Sequence, residues 1–260
     1  MFPGKCFPNG CLLVKSILLT NDDGIDAEGL KSLKDALHGI ARILVVAPDR
    51  NRSAVSHGLT IHTSLELKKN GSDSFSLNGT PADCVIYALD ELFTRPPDLV
   101  VSGINHGANL GDDVMYSGTV AAAREAARYG IPAIAVSQSY EDGKNVQFKK
   151  GSEFIRDKIK NMLGDGFDGE FLLNINIPVG KIKGVKITRQ GWSKHPRHFN
   201  IHGDAGTLSD PLNLMKNELI TDRQAVLDGY ISITPLQRDQ TDYIAVRALT
   251  NSAGHFPEKL

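Results

Sequence analysis

The first apolar run of the chain, Ser16–Thr20, leads through Asn21 into two adjacent aspartates, Asp22 and Asp23, and then Gly24. A short apolar run that ends in turn residues is typical of a strand buried in a parallel sheet. Open α/β sheets bind their ligands at the carboxyl ends of such strands. The acid pair therefore lies where an α/β protein carries its site, and the segment predicts a mostly parallel sheet.

The acid pair itself has two interpretations. Adjacent carboxylates repel each other, and burying them without a partner costs free energy. A divalent cation would relieve both problems. The alternative is an acidic turn that caps a helix, because Asp and Gly are common turn and cap residues and Glu28 lies in the first turn of a helix expected from Ala27 to His38. On this segment alone both remain open.

Three further apolar runs each end in polar residues. The run Ile43–Ala47 is followed by the polar loop Pro48–Ser53. The run Asp98–Val101 is followed by the glycine-flanked loop Ser102–Gly107. The run Ile134–Val136 is followed by Ser137–Ser139. A parallel sheet would bring all these polar segments to one edge. The oxygens of Asp22, Asp23, Ser53 and Asn105 are hard ligands, which suit Mg²⁺, Mn²⁺ or Ca²⁺ better than Zn²⁺.

Five segments in order resemble the SurE survival proteins, a family of metal-dependent 5'/3'-nucleotidases. They are Leu18–Gly24, Val46–Ser53, Asn78–Cys84, Val101–Gly111 and Tyr116–Ala123. The resemblance covers most of residues 16 to 137 and is looser beyond about residue 140. It implies a Rossmann-like fold and one divalent metal ion per subunit, Mg²⁺ or Mn²⁺, with Asp22, Asp23, Ser53 and Asn105 as its ligands.

The resemblance also implies the reaction and the assembly. The expected substrates are nucleoside 5'- and 3'-monophosphates, with short-chain polyphosphate as a further one. A bound metal would lower the pKa of a water for in-line attack, and either Asp22 or Asp23 is the expected base for that water. The family uses its C-terminal region for subunit contacts, so we expect a homodimer or a homotetramer.

A phosphate site is expected at Ser117-Gly118-Thr119, directly before a helix predicted from Val120 to Tyr129. Free backbone N–H groups and the positive end of a helix attract an oxyanion. A helix cap uses the same donors, so Ser117 or Thr119 serves equally well as a plain cap. The residues alone do not separate these readings, and the family resemblance favours phosphate.

Further polar residues of the matching segments are candidate contacts. Those expected to touch the substrate are Asn21, Asn78, Thr80 and Asn109. Those with a charge, or close to the proposed site, are Arg50, Arg52, His57, His106, Asp112 and Asp113. For Asn78–Pro81 the alternative is a turn with a helix cap, because proline favours the first position of a helix. For the histidines and arginines the alternative is a structural or solvated side chain.

The pattern of strands and helices divides the chain into three parts: a flexible extension over residues 1–15, an α/β catalytic core over 16–180, and a β-containing extension over 181–260 that packs on the core and serves oligomerisation. Further helices are expected at Ala82–Phe93 and Phe148–Leu163, and a strand at Phe171–Pro178. Short strands are expected at Val185–Thr188, Tyr230–Thr234 and Thr241–Val246. An α/β core with a β-containing tail is the fold class these elements predict.

Composition limits the possible partners. The 260 residues carry a formal net charge of -1, which disfavours a role in coating nucleic acid. No apolar stretch approaches the roughly 18 residues of a membrane span. The chain has three cysteines, Cys6, Cys11 and Cys84, and this small, odd number does not suit a disulfide framework. We therefore expect a cytoplasmic protein, with Cys84 in its core.

Other phosphate-binding signatures are missing from the sequence. There is no P-loop, and Gly103, Gly107 and Gly111 are spaced by four, unlike the dinucleotide fingerprint. Two other functional classes stay open. One is a nucleotide-binding regulator that keeps the metal site without turnover. The other is a metal-dependent sugar-nucleotide transferase, because an acidic pair after such a strand also serves those enzymes.

Overall fold

A computed structural model describes residues 14–141, 146–164, 169–191, 198–202, 205–209 and 220–251. Eleven strands occur in these residues: β1 (Ser16–Thr20), β2 (Arg42–Pro48), β3 (Leu67–Gly71), β4 (Ser74–Leu77), β5 (Leu99–His106), β6 (Ala133–Gln138), β7 (Leu172–Ile177), β8 (Val185–Ile187), β9 (His198–His202), β10 (Ala205–Ser209) and β11 (Ile231–Pro235). Nine of them form one sheet in the order β3-β4-β2-β1-β5-β6-β7-β11-β8, and β9 and β10 form a separate antiparallel pair.

The sheet is mostly parallel. From β4 through β2, β1, β5 and β6 to β7, every neighbouring pair runs parallel. The exceptions are β3, which is antiparallel to β4, and β11, which is antiparallel to β7. The predicted α/β class with a mostly parallel sheet is confirmed.

Helices cover both faces of the sheet. They are α1 (Glu28–Leu37), α2 (Pro81–Tyr87), α3 (Gly118–Arg128), α4 (Phe148–Gly164), α5 (Asp222–Leu227) and α6 (Tyr243–Asn251). A π-helical turn, Ala88–Leu92, continues α2, and a 3₁₀ turn, Gly111–Met115, precedes α3. Helices α1 and α4 share one hydrophobic core with the sheet, and α2 and α3 share the other.

The alternation of side chains along β1 explains why its sequence is apolar throughout. Ile17 and Leu19 pack in the core that contains Leu33 of α1. Leu18 points to the opposite face and packs in the core that contains Cys84 of α2. Both faces of β1 are thus removed from water, as expected for a central strand of a doubly covered sheet. Cys84 is fully buried, which confirms its predicted place in the core.

The core on the α2 and α3 face becomes polar towards the carboxyl edge of the sheet. Thr20 on β1 pairs in register with Ser102 on β5, and Ser102 pairs with Ala135 on β6. The same row continues through Asn174 on β7 to Thr234 on β11. All five residues are buried. The acid pair follows Thr20 directly, so it lies at one end of this buried polar row.

The prediction of a loop over Ser102–Gly107 is wrong, because β5 continues to His106. The register between β5 and β6 shifts between Ser102 and Asn105. Gly103 has a φ of +138°, and a Cβ there would lie 2.3 Å from the carbonyl oxygen of Val136. Glycine therefore permits an irregular strand at this point.

The prediction of a strand over Thr241–Val246 is also wrong, because helix α6 occupies most of this segment. The side chain of Asp242 accepts hydrogen bonds from the backbone N–H groups of Ile244 and Ala245, at 3.0 and 2.9 Å. An aspartate that bonds the first free N–H groups is a strong helix start. This cap outweighs the strand preference of the β-branched residues behind it.

Beyond residue 180, strands β8 and β11 hydrogen-bond into the main sheet. The division at this residue and its role in assembly stay predictions. Of the predicted flexible segment, only Val14 and Lys15 lie within the described residues, and Cys6 and Cys11 lie outside them. None of the helices in the described part of the chain has both the length and the hydropathy that crossing a bilayer requires.

Candidate active site

The acid pair lies between three segments that are distant in sequence. Asp22 is only 3 % exposed. Its side chain accepts a short hydrogen bond from the hydroxyl of Thr119, and its backbone carbonyl accepts one from the N–H of Arg52 at 2.7 Å. Asp23 is half-buried and accepts a hydrogen bond from the backbone N–H of His106 at 2.9 Å. The ends of β1, β2 and β5 and the start of α3 thus meet at these carboxylates.

The turn that carries the pair is held by Asn21. Its side-chain amide donates to the carbonyl of Gly24 at 2.9 Å, and its carbonyl oxygen accepts from the N–H of Gly24 at 3.2 Å. Gly24 has a φ of +105°, and a Cβ there would lie 3.0 Å from the backbone of Arg50. The side chain of Asn21 is fully buried and shapes the turn, and its predicted contact with the substrate stays a prediction.

Both carboxylates ionise less readily than a solvated aspartate. Burial, opposed in part by the hydrogen bond from Thr119, raises the pKa of Asp22 to about 6, and the neighbouring charge of Asp23 adds to the rise. Burial also raises the pKa of Asp23, while the N–H and the charge of His106 oppose it. No ion pair among the described residues includes either acid. Within the described part of the chain, no lysine or arginine therefore pairs with these two acids.

The two proposed neutral ligands lie next to residues that contact the pair. Ser53 is exposed and follows Arg52, whose N–H bonds to Asp22. Asn105 precedes His106, whose N–H bonds to Asp23. The side-chain amide of Asn105 donates to the carbonyl of Gly107 at 2.8 Å, which leaves its carbonyl oxygen as the atom suited to a cation.

These donors fit a hard divalent cation. Two carboxylates and two neutral oxygens are the ligand types that Mg²⁺ and Mn²⁺ prefer. The raised pKa values point the same way, because a cation would remove the repulsion and the cost of burial. Among the described residues, no group of three or more His, Cys, Asp or Glu side chains could hold a metal. The proposed ligands include only two carboxylates, so they form no such group.

The start of α3 serves the acid pair as well as the helix. Ser117 is the N-cap, and its hydroxyl accepts from the N–H of Val120 at 3.1 Å. Thr119 donates to Asp22. A Cβ at Gly118 would lie 2.8 Å from the Cβ of Asp22, so glycine alone allows helix and strand end to approach this closely. Of the two hydroxyls left open as caps, Ser117 is the cap and Thr119 positions the acid.

Two predicted substrate contacts have other partners. The hydroxyl of Thr80 accepts from the N–H of Asp83, and the Asp83 carboxylate accepts from the N–H of Thr80, which forms a capping box for α2. The carbonyl oxygen of Asn78 accepts from the N–H of Glu66 at 2.8 Å. Arg52 donates to the backbone carbonyl of Asn78 at 2.6 Å. These contacts build the loop wall beside the site.

Asn109 belongs to a buried amide cluster at the carboxyl end of β7. Its side chain donates to the hydroxyl of Ser137 at 2.7 Å. Its backbone carbonyl accepts from Asn174 and Asn176, and its N–H donates to Asn176 at 2.8 Å. The cluster fixes the chain that runs from β5 towards Ser117. Its members are thus brought to the same edge as the acid pair without touching it.

The two histidines near the site differ in their surroundings. His57 bonds to the buried carboxylate of Glu125 on α3 at 2.7 Å, which ties the Ser53 loop to that helix. His106 is exposed, and its ring packs on Tyr140 with 4.7 Å between the ring centroids. Arg50 is exposed in the loop after β2.

Sequence reasoning missed two buried acids that support the site. The Glu125 carboxylate bonds to the ring of His57, and it also accepts a hydrogen bond from the Arg128 guanidinium at 3.3 Å. Asp222 is fully buried and accepts hydrogen bonds from the N–H groups of Gly111 and Gly191. The sequence could have revealed Glu125, because it is an acid inside the alanine-rich pattern of α3. No local pattern marks Asp222, because Gly111 is 111 residues away in the chain.

Comparison with known proteins identifies the family. The family model described as "Survival protein SurE" matches residues 17–197. A protein of Aeromonas hydrophila named "5'-nucleotidase SurE" is 41 % identical over 253 residues, which covers 90 % of this chain and 96 % of the relative. A Histophilus somni protein with the same name is 44 % identical over 246 residues, covering 90 % and 96 %.

A solved structure agrees with these relatives. The crystal structure titled "Sure Protein from Aquifex aeolicus" matches with a TM-score of 0.80 and 38 % identity, and the match covers 92 % of this chain and 99 % of that one. Identity of this size along nearly the whole length of each relative confirms the predicted resemblance. The chain belongs to the SurE survival protein family.

Proposed function

We propose that this chain is a metal-dependent phosphomonoesterase that hydrolyses nucleoside 5'- and 3'-monophosphates to nucleoside and phosphate. The names of its relatives support the reaction class. The observation that carries the proposal is the acid pair Asp22 and Asp23. It lies at the carboxyl end of a central parallel strand, has raised pKa values and pairs with no cation in the described chain.

The proposed metal ligands are Asp22, Asp23, Ser53 and Asn105, with one Mg²⁺ or Mn²⁺ per subunit. When bound, such an ion lowers the pKa of a water and neutralises charge on the phosphate. The carboxylates supply the compensating negative charge. The neutral oxygens of Ser53 and Asn105 complete the site without adding further negative charge.

The two acids have different surroundings and therefore different proposed roles. Asp22 is buried and already accepts the hydroxyl of Thr119, so its position is fixed. Asp23 is half-buried and is reached by solvent. We assign Asp23 as the base that receives the proton of the attacking water, because a base must reach the proton it removes.

The start of α3 is the proposed phosphate site. The backbone N–H groups at the first positions of a helix have no partner within the helix. At Gly118 and Thr119 they adjoin the acid pair, and the helix dipole adds positive potential there. Ser117 supports this role indirectly by capping the helix.

A substrate panel tests the proposal. The purified chain is incubated with nucleoside 5'- and 3'-monophosphates and with short-chain polyphosphate, in Mg²⁺, Mn²⁺, Zn²⁺ or a chelator. We expect phosphate release from the monophosphates that stops with chelator and in both Asp22→Asn and Asp23→Asn. Nucleotide binding without turnover would instead favour the regulator, and turnover of sugar nucleotides without phosphate release would favour the transferase. Either result would overturn the proposal that the chain is a phosphomonoesterase.

We further propose that the chain assembles as a homodimer or homotetramer through its C-terminal region and acts in the cytoplasm. Helix α6 supports assembly, because it has no buried residue and exposes Tyr243, Ile244 and Leu249, with Ile244 83 % exposed. The sparse cysteines support a reducing compartment. Light scattering at micromolar concentration tests the assembly, and a mass equal to one 28.2 kDa chain would refute it.

A further inference from the structure

A cavity of about 450 Å³ lies at the carboxyl ends of β6 and β7, at the same edge of the sheet as the acid pair. Gln138, Tyr140, Ile177 and Pro178 contribute to its lining. Parallel sheets bind ligands at this edge, and small-molecule pockets commonly have several hundred Å³. The position and size of the cavity suit one part of a small ligand whose other part lies at the acids.

His106 contacts both the acid pair and the lining of the cavity. The backbone N–H of His106 donates to Asp23 at 2.9 Å, and the His106 ring packs on Tyr140, which lines the cavity. The backbone is equally close, because the N–H of Gly107 donates to the carbonyl of Gln138 at 2.9 Å. A ligand that reaches Asp23 therefore passes His106 to enter the cavity.

The chemistry of the lining suits a nucleoside. Tyr140 is 50 % exposed and presents an aromatic ring, and Ile177 and Pro178 add apolar surface. The side chain of Gln138 is buried and fixed by hydrogen bonds to the carbonyls of Ile177 and Pro178, at 3.3 and 3.1 Å. The exposed ring of Tyr140 and the apolar atoms of Ile177 and Pro178 offer a surface on which a base can stack, beside the polar side chains that complete the lining.

The described lining of the cavity carries two lysines and one acid, Glu141, which leaves a net positive charge for an anionic ligand. Lys149 and Lys150 line the cavity in the first turn of α4, and both are exposed. Their positive charge attracts a substrate that carries phosphate, and the first turn of a helix adds to the same potential.

We propose that this cavity receives the nucleoside of the substrate, with the base stacked on Tyr140 and the phosphate at the acid pair. The inference rests on the proposed function and deepens it, because it assigns residues that select a nucleotide over other phosphomonoesters. Tyr140 is then a specificity-determining residue.

The structure offers a matched comparison for Tyr140. Tyr116 is 48 % exposed and directly precedes Ser117, so it adjoins the start of α3, and it is not part of the cavity lining. A base stacked there would leave the cavity empty. Variants of the two tyrosines therefore distinguish the two directions in which the nucleoside can extend from the acid pair.

Calorimetry with adenosine and with uridine measures the nucleoside contact without any hydrolysis. We expect Tyr140→Ala to raise both dissociation constants about tenfold, the size of one lost stacking contact. Tyr140→Phe keeps the ring and should stay within about twofold of the wild type. Unchanged affinity in Tyr140→Ala, or the loss in Tyr116→Ala instead, would overturn the proposal.

Kinetics separate this inference from the proposed function. The ratio of kcat/KM for adenosine 5'-monophosphate to that for ribose 5-phosphate should fall about tenfold in Tyr140→Ala and stay constant in Tyr116→Ala. If no ester is hydrolysed but nucleoside binding depends on Tyr140, the proposed function fails and this inference stands. If both esters are hydrolysed equally and no nucleoside binds, the inference fails and the phosphomonoesterase stands.

Discussion

Replacing Asp22 by Asn should abolish catalysis and at the same time stabilise the metal-free protein. Burial raises the pKa of Asp22 from 3.8 to about 6, so ionising this group costs more in the folded chain than in the unfolded one. At about 1.4 kcal/mol per pKa unit, the ionised carboxylate destabilises the folded state by about 3 kcal/mol at pH 8. Asparagine keeps an oxygen that accepts from Thr119 but carries no charge.

The sign of the pH dependence follows from the raised value. Below pH 3.8 the acid is protonated in both states and costs nothing. Between 3.8 and about 6 the unfolded chain ionises first, so stability falls as pH rises, and above this window the cost is complete. At pH 4.5 the difference between Asp22→Asn and wild type should therefore shrink to about 1 kcal/mol.

Thermal unfolding in excess chelator at pH 8 and pH 4.5 measures this difference. For a chain of this length, about 3 kcal/mol corresponds to a rise in Tm of roughly 6–12 °C at pH 8. Asp222→Asn is the matched control, because the Asp222 carboxylate is buried but accepts three backbone N–H groups. It should melt earlier than wild type. A folded Asp22→Asn protein that melts at or below the wild-type temperature at pH 8 would refute the reasoning.

Three other variants address the contacts around the acid pair. Gly118→Ala places a Cβ 2.8 Å from the Cβ of Asp22, so we expect metal affinity by calorimetry and kcat/KM each to fall at least about tenfold, and unchanged affinity would contradict the close approach. Thr119→Ala removes a hydrogen bond that lowers the pKa of Asp22, so the acidic limb of the rate–pH profile should move to higher pH, and a profile that stays in place would argue against it. His57→Ala deprives the buried Glu125 carboxylate of a partner and should cost about 1–3 kcal/mol by urea unfolding at pH 7. Because His57 contributes to holding the pKa of Glu125 below 4.5, this cost should fade as pH falls through that region, whereas a cost independent of pH would indicate lost packing.

The central strands were predictable because burial on both faces leaves an unbroken apolar run. Ser16–Thr20 is predicted with the bounds that the structure gives β1. The predicted runs Ile43–Ala47 and Ile134–Val136 lie inside β2 and β6, whereas Asp98–Val101 covers only the start of β5. Strands β3 and β4 were not predicted. They lie at the edge of the sheet, and Leu67–Gly71 is almost entirely exposed, so nothing in its sequence has to be apolar.

The errors have a different cause, because local signals at these positions compete with each other or with tertiary contacts. Glycine and asparagine in Ser102–Gly107 are typical loop residues, yet pairing with β6 keeps the segment in the sheet. In Thr241–Val246, β-branched residues favour a strand, yet the cap at Asp242 starts a helix. Propensity is a weak signal wherever a single contact of this kind opposes it.

The site was predictable as a set of polar strand ends and only partly as a set of roles. The acids Asp22 and Asp23 follow from the strand before them. The sequence could not separate phosphate binding at Thr119 from other uses of its hydroxyl, because Asp22 is 97 residues away. The same holds for Glu125 and His57, which are 68 residues apart.

The contact between Asp222 and Gly111 sets an order of events during synthesis on the ribosome. The acid pair, the loop after β2 and the start of α3 have all been translated when Gly111 still lacks the carboxylate that holds it. At about 5–20 residues per second, the intervening 111 residues take roughly 6 to 22 s. Once β7 (Leu172–Ile177) has been translated, it has no partner on the side where β11 adds until Ile231–Pro235 follow. Until β11 has been translated, a nascent chain therefore exposes an open sheet edge beside an incomplete site.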